Sequence, residues 1–179
     1  MMSIRKFGAA VALVVASLGF TSFSANAVLI TQSIEFVDDP FYGSLTLGEI
    51  TVDLDSRDIG TGFVSILDFV SLDLFDSTEF DVFEFEAIVD ASSLSAVNSG
   101  IELLSFDVTE LDSPDMWSYQ VFIDIFAPEN NNIVIFDANL ELIYFSDAIT
   151  LGEARVPAPA GIAILALGLV AMGLRRRKN

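Results

Sequence analysis

In the body of this chain, apolar side chains recur at every second position in short runs, and no stretch carries a convincing 3.6-residue period. A period of two sends alternate residues to opposite faces of an extended strand, so the pattern restricts the body to half-buried β-sheet. From Trp117 to Phe126, Trp117, Tyr119, Val121, Ile123 and Ile125 share one face, and Ser118, Gln120 and Asp124 share the other. From Ile30 to Phe36, Ile30, Ile34 and Phe36 point one way, opposite Thr31, Ser33 and Glu35. The chain's 16 Phe, with frequent Val, Ile and Thr, suit such pleated surfaces.

The alternation slips phase in two places. Phe80 and Val82 occupy one parity, whereas Phe83, Phe85, Ala87 and Val89 occupy the other, and Asp81, Glu84 and Glu86 shift with them. One extra residue near Val82–Phe83 would keep every Phe inward, which is what a β-bulge does. A similar slip lies at Gly48–Glu49, between Leu45/Leu47 and Ile50/Val52/Leu54, where Gly suits a bulge or turn.

Turn-forming clusters separate the runs: Asp38-Asp39-Pro40, Asp58 to Gly62, Asp76-Ser77-Thr78, Asn98-Ser99-Gly100, Asp112 to Asp115 and Pro128 to Asn132. This spacing predicts an all-β fold, an antiparallel β-sandwich of roughly eight to ten strands. Ala91 to Val97 is the one helix candidate in the body. No domain boundary or clean repeat interrupts it.

Charge is sharply segregated. All 26 acids lie between Val28 and Val156, against Arg57 and Arg155 alone, which leaves this body at −24 within a chain of net charge −18. Such a surface repels nucleic acid, whose binding rests on cations meeting phosphates, and disfavours anionic lipid headgroups. With no Cys there is no disulfide framework, so the fold depends on its core. With no His, the Ser-His-Asp and Cys-His catalytic arrangements and the commonest zinc ligand are excluded.

The other six cations sit near the two ends. Arg5 and Lys6 precede the apolar run Phe7 to Phe20, and Ala25-Asn26-Ala27 gives a small-x-small exit, so residues 1–27 read as a secretory signal peptide cut after Ala27. At the other end, Val156-Pro157-Ala158-Pro159 leads into an uncharged run from Ala160 to Leu174, stopped by Arg175, Arg176, Arg177 and Lys178. The two Pro favour an extended spacer. The run predicts a transmembrane helix anchored by its cations on the cytoplasmic side. At about 1.5 Å per residue it spans about 22 Å, short of a hydrocarbon core of about 30 Å. The expected organisation is a signal segment over 1–27, an acidic β-sandwich over 28–154 and a tail over 155–179.

A short Pro motif, a short apolar helix and a terminal Arg/Lys cluster, following an exported β-rich body, resemble the PEP-CTERM sorting tail of Gram-negative bacteria. The resemblance covers about Val156 to Lys178, with Val156, Pro157, Pro159, Gly161 and Arg175 to Arg177 in place. Ala158 stands where the family usually has Glu. The resemblance implies that the tail is a substrate for an exosortase-like membrane transpeptidase. It implies an inner-membrane intermediate, then delivery to the cell surface or extracellular matrix, where exopolysaccharide is a possible partner.

Candidate chemistry in the body is sparse. Asp53, Asp55 and Asp58 cluster where a strand ends and could offer oxygens to calcium, although the EF-hand pattern fails: Arg57 occupies its fifth position and no Glu its twelfth. Asp112 and Asp115 form a second acidic turn. Acid pairs of the kind used in glycoside hydrolysis carry no specificity among 26 acids. No phosphate-cradling loop or nucleophile elbow occurs. For stacking on carbohydrate, the alternation places Trp117 in the core, which leaves Phe41-Tyr42 as the expected exposed aromatic pair. The expectation is an exported, non-catalytic surface or matrix protein, with polysaccharide or calcium binding as the alternative.

Overall fold

The alternating runs become ten strands among the described residues: β1 (Val28–Asp39), β2 (Gly43–Leu54), β3 (Phe63–Ile66), β4 (Phe69–Leu74), β5 (Phe80–Asp90), β6 (Ile101–Glu110), β7 (Ser118–Asp124), β8 (Asn132–Phe136), β9 (Leu142–Ser146) and β10 (Ile149–Leu151). The computed structural model describes residues 28–67 and 69–157. The expected signal segment with Ala25 and Ala27, the positions Ala158 and Pro159, the apolar run and Arg175 to Lys178 lie outside the described residues. None of the described helices is long and apolar enough to cross a membrane.

The strands form two sheets, ordered β10-β1-β2-β4 and β3-β5-β6-β7-β8-β9, with antiparallel pairing throughout. The inner faces share one apolar core. Ile30, Ile34 and Phe36 of β1 and Ile50, Val52 and Leu54 of β2 come from the first sheet. Ala87 and Val89 of β5, Leu104, Phe106 and Val108 of β6, and Tyr119, Val121 and Ile123 of β7 come from the second. Aromatic pairs cross the gap: Phe69 meets Phe85 at 5.2 Å, and Phe75 stacks on Tyr119 at 5.6 Å. The expected all-β, sandwich-like architecture is therefore present. The helix candidate shortens to one turn, Leu94–Val97, capped by the Ser93 side chain.

Both expected phase slips are irregularities of pairing. In β5 the register shifts between Val82 and Glu84, so Phe83 has no opposite residue on β6. Phe85, Ala87 and Val89 are buried beyond it, but Phe83 itself is turned outward and 68 % exposed. The expectation that every Phe stays inward fails at this residue: the unpaired position of a bulge is free of the pleat that directs its neighbours. In β2 the shift skips Leu47, one residue before the slip seen in the sequence. Gly48 follows because β4 approaches closely, and a Cβ there would lie 1.9 Å from the Asp73 carbonyl oxygen.

Among the described residues five polar ones are buried, Gln32, Asp39, Ser77, Asn131 and Ser146, and each helps fasten one sheet to the other. Gln32 on β1 accepts the N–H of Ile101 on β6 and donates to the Gly152 carbonyl at 3.0 Å. Asn131, at the start of the second sheet's β8, accepts the N–H of Asp124 at 2.8 Å and donates to the Ile149 carbonyl of β10 at 3.0 Å. Asp39, ending β1, accepts the hydroxyls of Tyr144 and Ser146 on β9. Ser77, after β4, donates to Asp112, after β6. Buried polar groups are tolerable only when so partnered, and these partners lie across the interior.

Candidate functional site

The acidic loop after β2 is folded on itself. Asp55 accepts the backbone N–H of Arg57 at 2.9 Å and its guanidinium through Nε at 3.0 and 3.1 Å and Nη2 at 2.5 Å. These bonds hold the Asp55 carboxyl down at about 2. Asp58 contributes its backbone carbonyl to Thr61, through both N–H and hydroxyl. The Asp55 carboxylate therefore serves a short Asp-to-Arg turn, and among the described residues no three acidic side chains, Asp53, Asp55 and Asp58 included, are gathered into a metal-holding group.

The second acidic turn is also occupied. Asp112 accepts the Ser77 hydroxyl and the Thr78 N–H at 3.3 Å, which keeps its carboxyl low. The braced residues directly follow the left-handed pair Phe75 and Asp76, at φ 53° and 66°. Next to it, burial pushes the Glu110 carboxyl up, and the charge on Asp112 adds to that. Tyr119 donates to Glu110 at 3.4 Å, and burial raises its own phenol. Two carboxyls pushed in opposite directions are the elements of acid–base catalysis. Neither Glu110 nor Asp112 lines the groove on the outer face of the six-stranded sheet or the depression beside Phe69, and the Tyr119 ring is sealed in the core.

The aromatic turn between β1 and β2 is built around one buried carboxylate. Asp39 is buried, and its Oδ1 accepts the N–H groups of Phe41 and Tyr42, both at 2.9 Å. Its Oδ2 accepts Tyr144 Oη at 2.5 Å and Ser146 Oγ at 2.6 Å. Burial pushes this carboxyl up, but the bonds from Ser146, Tyr144, Tyr42 and Phe41 outweigh burial and hold it at about 2. Burial and the Asp39 contact push the Tyr144 phenol up to about 12. Phe41 and Tyr42 are 83 % and 56 % exposed, as expected. Tyr42 stacks on Phe36 at 5.8 Å, and Tyr144 meets Phe41 and Tyr42 edge-on at 6.1 and 5.4 Å. Sequence reasoning found Phe41-Tyr42 but missed Asp39, Tyr144 and Ser146 as a unit, because the partners lie more than a hundred residues apart with no local pattern to join them. A carboxylate with four donors is a fastening rather than a base.

Trp117 departs from its expected core position. It lies just before β7 and is 37 % exposed, while Tyr119, Val121 and Ile123 on the same parity are buried. Alternation governs burial only where both faces of a strand are flanked, and Trp117 stands beyond the strand's end.

The tail begins inside the sheet. Arg155 pairs with Thr31 through both backbone bonds, at 2.8 and 3.0 Å, and its guanidinium meets Glu49. Val156 packs on the core, and Pro157 is exposed. Pairing thus runs past the expected boundary at Ala154.

No protein-family model, no curated protein and no solved structure matches this chain.

Proposed function

We propose that this chain is an exported, non-catalytic protein of the cell surface or extracellular matrix of a Gram-negative bacterium. Residues 1–27 direct export, and an exosortase-like enzyme processes the PEP-CTERM-like tail from a transient inner-membrane intermediate. The observation that carries this reading is the segregation of charge: six cations flank two apolar runs at the ends, and all 26 acids lie between them. Among the described residues, strand pairing spans Val28 to Arg155, so cuts after Ala27 and near Pro159 would leave all of that pairing in place.

Intact mass of the protein from surface, membrane and medium fractions of its host tests the reading. The expected product starts at Val28, ends near Pro159 and is found at the surface or outside. A product that keeps Arg175 to Asn179 and stays in the inner membrane overturns the sorting step, with Ala158 the first position to restore to Glu.

A further inference from the structure

The outer face of the six-stranded sheet holds a shallow groove of about 380 Å³. Its floor is polar and regular. Asp107 on β6 lies opposite Gln120 on β7, and Thr109 lies opposite Ser118 one step along the same face. Gln120 Nε2 donates to Asp107 Oδ2 at 2.9 Å, and the Thr109 and Ser118 hydroxyls meet at 2.7 Å. These cross-strand bonds fix four hydrogen-bonding side chains in a flat array.

The walls are apolar. Phe83 of β5 stands on one side and Phe136 of β8 on the other, three strands away, or about 14 Å of sheet. Leu140 closes the second side, 75 % exposed and with its backbone at φ 62°. Phe83 reaches the groove only because the bulge re-aims it, and it forgoes the burial that Phe85 keeps. It also forms the rim of a second depression, beside Leu67 and Phe69. A sheet face that merely met water would need neither an outward Phe nor a strained Leu.

Aromatic walls above a floor of carboxylate, amide and hydroxyls match a ligand that is apolar on its ring faces and hydroxylated at its edges. Sugar rings have that character. The body's charge selects among sugars: Arg57 and Arg155 are its only cations, each paired with an acid, so a polyanion would meet repulsion. We infer that this groove binds a neutral polysaccharide strand, with sugar faces against Phe83 and Phe136 and hydroxyls on Asp107, Gln120, Thr109 and Ser118. The inference extends the exported, non-catalytic reading but is tested apart from it, because binding is measured on purified protein whatever its address.

The test is calorimetric titration of the full-length chain with neutral glucan, mannan and galactan hexasaccharides, and with an oligouronate, at low and high salt. Binding of at least one neutral hexasaccharide, equal at both salts, is expected. Phe83→Ala and Gln120→Ala should each weaken it roughly tenfold or more. Phe41→Ala, on the separate aromatic turn, should leave it unchanged, and thermal melts of all variants establish that they fold. The inference is overturned if no neutral hexasaccharide binds, if the oligouronate binds instead, or if Phe83→Ala keeps full affinity. It is equally overturned if sedimentation shows a dimer that Phe83→Ala dissociates, for the face would then belong to a second copy. A tail found unprocessed would leave these results intact, and a groove that binds nothing would leave the mass experiment intact.

Discussion

Gln32 Oε1 accepts the backbone N–H of Ile101 at 2.5 Å, joining the first strand of one sheet to a central strand of the other. The same amide's Nε2 holds the Gly152 carbonyl, and Gly100, at φ 93°, leaves room for it, since a Cβ there would lie 2.5 Å from Oε1. Replacing Gln32 by Leu keeps the volume but leaves a buried N–H and a carbonyl unpartnered. Gln32→Leu should lower stability by about 2–4 kcal/mol in urea unfolding. A loss within about 0.5 kcal/mol, the range of ordinary surface changes, would show that this tie is dispensable.

Asp39 gives the aromatic turn a pH dependence. Its carboxyl sits at about 2 when folded against an ordinary 3.8, so the folded chain binds fewer protons there. The stabilisation is complete above about pH 4 and is lost as pH falls through 2. Asp39→Asn should be less stable at neutral pH, by about 2 kcal/mol, because Asn offers one accepting oxygen where four donors converge. Its stability should also change less than the wild type's between pH 4 and pH 2. Parallel pH profiles for the two proteins would remove Asp39 as the source.

Glu102 predicts the opposite sign. Burial and then the nearby Asp90 push its carboxyl up, and its Oε2 is buried with no hydrogen-bond partner. The folded chain therefore holds this proton more tightly, and stability falls as pH rises from the ordinary value of 4.5 through the raised one. Glu102→Gln should raise stability at pH 7 by about 1 kcal/mol, roughly 3 °C in Tm. The gain should vanish in acid, where Glu102 is protonated; a gain that persists there would point to packing instead.

Gly48 tests the close approach of β2 and β4. Gly48→Ala places a methyl group against the Asp73 backbone and should cost about 1–3 kcal/mol. Amide exchange should show its effect concentrated at the β2–β4 pairs from Gly48–Leu74 to Thr51–Ser71. An unchanged exchange pattern would mean that β4 shifts without penalty.

The alternation carried most of this fold because a period of two leaves little choice but sheet, and the turn clusters cut it at the right places. It also marked the slip at Val82–Glu84 and, within one residue, the one at Leu47, but not the register shifts at Phe36–Asp39, Thr51–Val52, Ile88–Val89 and Ile135–Phe136. It could not say where Phe83 would point, since the skipped residue of a bulge belongs to neither parity. Gln32 has the inward parity of Ile30 and Ile34, yet a polar residue in such a run reads as a gap until Ile101 and Gly152, 69 and 120 residues away, are brought to it. The groove was hidden for a related reason. Asp107, Gln120, Thr109 and Ser118 look like ordinary solvent-facing residues in two separate strands, and only register sets them side by side.

The pairing of β1 with β10 and Arg155 has a consequence for the order of assembly. Strand β1 is the first of the body to be made, yet one of its edges and one arm of Gln32 wait for residues 149–155, the last. The sheet order β10-β1-β2-β4 cannot close on a partial chain. Completion of the four-stranded sheet therefore coincides with the arrival of its C-terminal strand.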